Sequence, residues 1–176
     1  MAIIKRTELV LDKRFDPKSC RHTLNGQEMV LHCHHYATLY SQLAEDCGLL
    51  DGKKLLMESA EDAFIEVLSA YYEDNCLSSV EDRIAIAEQY FVACGLGRMT
   101  VLCAGPDSGE VVLSNSHLDE GWISKWGNYK NPVNFITCGY IAAVFSAVFD
   151  KSKRTYLVTE VESLVKGASQ SRFEVV

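Results

Sequence analysis

The chain has 176 residues, 48% of them apolar, and a formal net charge of −7. That length and apolar content suffice to bury a full core in one domain spanning 1–176, and no Pro-, Ser- or Gly-rich linker, low-complexity tract or internal repeat marks where a second would begin. The acidic balance, with a sequence pI near 5.2, removes the clustered Lys and Arg that track phosphates, which argues against nucleic acid as a partner.

In chain order, Met1 to Leu11 alternates charged with β-branched residues and lacks a signal-peptide cleavage pattern. From Glu28 to Cys47, after Asn25-Gly26, the spacing of Met29, Cys33, Tyr36, Tyr40, Leu43 and Cys47 predicts a helix. A second helix is expected over Lys53 to Tyr72, with Leu56, Ala60, Ala63, Phe64, Val67 and Tyr71 on one face. A third starts at Ser79, a capping residue with Asp82 three positions on, and runs to Gly95. The texture then becomes β-rich: Met99 to Cys103 and Val111 to Ser114 flank the turn residues Gly105 to Gly109 and read as a hairpin. Trp122 and Trp126, four apart, share one side of a short helix. The small and apolar residues from Phe135 to Phe149 read as a buried helix, and Thr155 to Val161 and Arg172 to Val176 as strands. The order implies an α+β fold, with N-terminal helices packed on one face of an antiparallel sheet. The longest apolar stretch, Val133 to Phe149, is broken by Asn134, Thr137, Gly139 and Ser146 and is too polar to span a bilayer. No membrane association is expected, and the cytoplasm is the natural compartment. Seven cysteines without a CxxC pair read as reduced thiols or single ligands.

The stretch Cys138-Gly139-Tyr140-Ile141-Ala142-Ala143-Val144-Phe145-Ser146, then Val158 to Ser163, then Gly167 and Ser171 to Val175, resembles the C-terminal signature of the 4-vinyl-reductase, or hydrocarbon-binding, domain family, over 138–176. In that pattern a Cys precedes a Glu, a Cys three residues later and another Cys eight further on; here these fall on Cys138, Glu160, Ser163 and Ser171. The resemblance implies capture of a small apolar or aromatic ligand by a sensory or carrier domain, and kinship with subunits of the TRAPP vesicle-tethering complex. It also implies a structural zinc in sensor members. With serine at 163 and 171 that zinc is expected to be missing, because a hydroxyl stays protonated near neutral pH and is a poor ligand beside thiolate.

His32-Cys33-His34-His35 is the densest chemical cluster in the chain. On a helix whose inward direction is set by Tyr36, Leu39 and Leu43, His32 lies near the centre of the inner face, Cys33 and His35 flank it, and His34 points away. Three readings stand open. These residues are core and surface side chains; or His32, Cys33, His35 and His117 hold a metal ion; or they are the polar lining of an organic-ligand site. His117, beside Asp119 at a strand end, is either a turn histidine or a functional one. Trp122 and Trp126 either wall a pocket or close the core. The leading functional reading is a ligand-binding module with His32, Cys33, His35, Tyr36, His117, Trp122 and Trp126 at the site. Its rivals are a metal- or thiol-dependent enzyme built on the histidine cluster with His117, and a dimeric scaffold subunit; a homodimer is expected.

Overall fold

The computed structural model describes residues 7–30 and 32–176, so the first six residues of the Met1 to Leu11 segment, and Leu31 within the expected first helix, lie outside it. The fold is α+β, with five α-helices and two antiparallel sheets among the described residues. The larger sheet has the order β4-β5-β7-β6, from β4 (Gly97–Ala104), β5 (Gly109–Ser116), β6 (Val158–Glu162) and β7 (Ser171–Val175). Along β5 and β7 burial alternates. Val111, Leu113, Phe173 and Val175 point inward while their neighbours are more exposed, the period of a sheet covered on one face.

Against that face lies α5 (Phe135–Val148), which buries all but one of its side chains and so forms the centre of the core rather than an amphipathic surface helix. Helix α2 (Gly52–Asp74) packs along it. They come close together at Gly139, where an added Cβ would stand 2.1 Å from the Met57 carbonyl oxygen. The buried Glu61 of α2 accepts hydrogen bonds from Arg154 N at 2.7 Å and Arg154 Nη1 at 2.8 Å, tying the chain after α5 to α2. Helix α3 (Val80–Ala93) begins as its sequence predicts, with Ser79 Oγ accepting from Asp82 N at 3.0 Å, and packs beside β4.

The N-terminal region departs from expectation. Asn25-Gly26 does not lead into a helix. Both residues have positive φ, 48° and 81°, and form the two-residue turn of a hairpin in which Leu24 faces Gln27. That hairpin joins β2 (Arg21–Leu24) to β3 (Gln27–Met29), and β1 (Lys13–Asp16) completes a three-stranded sheet. Helix α1 is therefore shorter than predicted, His34–Asp46, with Cys33 as its N-cap and His32 before it. Its orientation is corrected too. Tyr36, Leu39 and Leu43 are exposed, and the buried face is Ala37, Thr38, Ser41 and Ala44. Small side chains let α1 approach α4 (His117–Trp126) closely. A Cβ on Gly121 of α4 would meet His34 Cβ at 2.9 Å and Thr38 Cγ2 at 3.2 Å. His34, expected to point away, thus faces α4.

Candidate functional site

A cavity of about 820 Å³ opens between the helices and the small sheet. Its apolar wall comes from Met29 of β3, Ala37 and Tyr40 of α1, and Phe64 and Val67 of α2. Tyr90 of α3, Leu96 before β4, Leu118 of α4 and Ile136 of α5 complete it. The helices reach this space because their ends converge where α3 hands over to β4 and β5 to α4. His117 N donates to Leu96 O at 3.0 Å, pinning the start of α4 to that crossover. Ser116 caps the helix by accepting from Asp119 N at 3.2 Å.

The polar groups on the wall are few, and its two carboxylates, Glu28 and Glu66, are each ion-paired, with Arg21 and with Lys153. His117 lines the cavity; burial pushes its pKa down, and the nearby His34 and His32 add to the effect against a smaller opposing pull from Glu120. It is uncharged at neutral pH and has one donor and one acceptor nitrogen. Burial also pushes the Tyr90 hydroxyl up to about 12 and the Cys94 thiol up to about 11, so both keep their protons. No lysine or arginine lines the cavity among the described residues.

The sequence-nominated residues separate. His32 and His117 are both on the cavity wall, and His32 also rests edge-on against Tyr40 at 6.2 Å. Cys33, His35 and Tyr36 are exposed and are not among the lining residues. His34 stacks on His35 at 4.3 Å and meets His117 at 6.2 Å between ring centroids. Trp122 is buried, but with Val133, Val165 and Tyr129, in a cluster separate from the main core, and the half-exposed Trp126 packs against it at a tilt, 4.7 Å between ring centroids. Neither indole borders the cavity. Among the described residues no group of three or more His, Cys, Asp or Glu is arranged to hold a metal ion. The residues that sequence reasoning missed are Phe64, Val67 and Tyr90, which read there as ordinary members of helix faces.

A second constellation lies under the sheet. Glu160 Oε1 accepts from Ser171 Oγ at 2.8 Å and from Asn134 Nδ2 at 2.9 Å. The same amide donates to Asp119 Oδ2 at 2.7 Å, and Ser116 Oγ donates to Asn134 Oδ1 at 3.0 Å. Ser171 Oγ also accepts from Leu164 N at 3.0 Å. Burial raises the pKa of both carboxyls against the donors that surround them; the nearby Asp119 raises Glu160 further, and Glu120 adds a small rise to Asp119. Ser163 is buried in the same cluster, where its side chain helps offset the rise in the Glu160 pKa. Cys138 is buried nearby, its thiol held protonated by desolvation and by the charge of Glu160. Cys138, Glu160, Ser163 and Ser171 do therefore gather, joined by Asp119 and Asn134, which only the fold brings in. This set does not fit a zinc ion: it offers a single thiol, the amide nitrogen of Asn134 bridges the two carboxylates, and the remaining groups are hydroxyls.

The fold is shared by ligand-binding and trafficking proteins. The phenol-responsive sensory domain of the transcription activator PoxR, solved with phenol, superposes with a TM-score of 0.76 at 20% identity, covering 93% of this chain and 83% of that one. A vinyl-4-reductase family protein from Methanocaldococcus jannaschii gives 0.50 at 16% identity, covering 81% and 76% of the two chains. A trafficking protein particle complex subunit 3 from Naegleria fowleri, covalently bound to palmitic acid, gives 0.53 at 13% identity, covering 81% and 92%. At the level of sequence alone, no family model and no curated protein matches the chain. No described helix is long and apolar enough to cross a membrane.

Proposed function

We propose that this chain is a small-molecule-binding domain, sensory or carrier in role, that takes an apolar or aromatic ligand into the cavity between α1, α2, α3 and α4. The observation that carries this is the cavity itself: about 820 Å³, walled mostly by aromatic and aliphatic side chains with a few polar groups, the usual make-up of a ligand pocket. The likeness to a phenol-bound sensory domain supports the same reading. His32 and His117 are the nominated residues that serve this site; Cys33, His35, Tyr36 and the two indoles do not enter it. The domain would act in the cytoplasm, in keeping with its free, largely exposed cysteines.

The test is mass action on stability. A ligand that binds only the folded state at about 100 times its Kd adds about 2.7 kcal/mol, which in a domain of this size raises Tm by roughly 5–10 °C. Phenol, 2-naphthol and decanol titrated to their solubility limits should produce such a rise for at least one. A flat Tm for all three contradicts the reading. We also propose a homodimer formed through the outer face of α1, supported by exposed Tyr36, Leu39 and Leu43 in one stripe. Sedimentation should give a dimer that Leu39→Glu with Leu43→Glu converts to monomer; a monomeric parent refutes it.

A further inference from the structure

The chain's buried tyrosines are, with one exception, satisfied by the protein. Tyr72 donates to Arg83 O at 2.9 Å, Tyr140 to Ala87 O at 2.6 Å and Tyr156 to Pro106 O at 2.8 Å. The half-buried Tyr71 accepts from Val10 N at 2.9 Å, and Tyr129 donates to Glu45 at 3.0 Å. Tyr90 is 3% exposed and its hydroxyl bonds to no described residue. Nor is it among the polar atoms sealed in the interior without a hydrogen bond, such as Asp119 Oδ1 and Trp122 Nε1. A hydroxyl that bonds to no described residue and is not sealed, on a residue that lines the cavity, opens on that cavity.

The surrounding charge narrows what can meet it. The two carboxylates on the lining, Glu28 and Glu66, are paired with Arg21 and with Lys153, and the described wall carries no cation. A carboxylate ligand would lose its hydration there without gaining a counter-charge. We infer that Tyr90 is the hydrogen-bonding contact of the buried end of the ligand, and that the cavity selects uncharged molecules bearing a hydroxyl or carbonyl over their carboxylate counterparts. This rests on the ligand-binding reading above and specifies its substrate class.

Three ring-matched probes at pH 7 test it by calorimetric titration: 2-naphthol, 2-methylnaphthalene and 2-naphthoate. The parent should bind 2-naphthol about fivefold to tenfold more tightly than 2-methylnaphthalene, the effect of one net hydrogen bond, and 2-naphthoate more than about 100-fold more weakly than 2-naphthol. Tyr90→Phe, which removes one oxygen and keeps the ring, should abolish the naphthol preference while binding 2-methylnaphthalene within about twofold of the parent. That unchanged affinity also certifies that the variant is folded. An undiminished naphthol preference in Tyr90→Phe, or 2-naphthoate binding as tightly as 2-naphthol, overturns the inference and leaves the cavity reading standing. Failure of all three probes to bind the parent overturns both.

Discussion

Replacing Gly139 by alanine sets two effects of opposite sign against each other. Alanine is the better helix former by about 1 kcal/mol in a helix interior, so propensity alone predicts a stabilised protein. The geometry predicts the reverse. The new Cβ would lie 2.1 Å from the Met57 carbonyl oxygen, 2.8 Å from Ala60 Cβ and 3.0 Å from the Met57 carbonyl carbon. The first of these must open by more than about 1 Å to reach ordinary van der Waals contact. Two of the three contacts are backbone, so no side chain can swing aside; α2 must move off α5 along the longest helix contact in the fold. Overpacking of this kind costs about 1–3 kcal/mol, and a backbone clash belongs at the upper end. After the propensity gain, a net loss of about 1–2 kcal/mol remains. Because α2 carries Phe64 and Val67 and α5 carries Ile136, the shift should also reshape the cavity and weaken ligand binding. Urea unfolding measures it as a lower midpoint at unchanged m value. A Gly139→Ala protein as stable as the parent or more so would refute the close approach of α2 and α5.

Three further outcomes follow from buried groups. Asp119 and Glu160 hold protons more tightly folded than unfolded, so their contribution to stability is full below about pH 4 and is lost as pH rises through their elevated folded values. The stability difference between parent and Glu160→Gln should therefore move in favour of the variant as pH rises, by no more than about 1.4 kcal/mol per pH unit for each group, and a pH-independent difference would contradict this. Glu61→Gln should cost about 1.5–3 kcal/mol by weakening two charge-assisted bonds to Arg154, and a urea midpoint unchanged from the parent would show that the contact contributes nothing. Iodoacetamide on the native protein should label Cys20, Cys33, Cys47, Cys76 and Cys103 and spare Cys138, by peptide mass spectrometry; rapid labelling of Cys138 would show that its burial is wrong.

Much of the C-terminal two-thirds was legible because local signals and tertiary packing agree there. Ser79 caps the helix its sequence announces, Gly105 to Gly109 turns the hairpin it promises, and Phe135 to Val148 is apolar on every side because every side is buried. The N-terminal region was not, for two physical reasons. The strands Lys13–Asp16 and Arg21–Leu24 are short, polar and mostly exposed, so no alternating pattern betrays them. On α1 the rule that large apolar residues point inward fails, because close packing on Gly121 favours Ala37, Thr38, Ser41 and Ala44 and leaves Tyr36 and Leu43 outside. The same misreading turned His34 outward and brought Tyr36 into the site. Of the nominated histidines His32 and His117 reach the cavity, whereas Tyr90 carries no motif: its distinction is a hydroxyl without a partner among the described residues, which only three dimensions reveal. Likewise Asp119 and Asn134 join Glu160 and Ser171 through contacts distant in sequence.

The most direct test of the central claim is to see a ligand in place. Crystals grown with 6-bromo-2-naphthol, measured at the bromine absorption edge, should show one dominant anomalous peak inside the cavity walled by Phe64, Val67, Tyr90 and Leu118, with the naphthol oxygen at hydrogen-bond distance from Tyr90 Oη. A bromine peak confined to the protein surface, or lodged beside Trp122 and Trp126 with the cavity empty, would contradict the account.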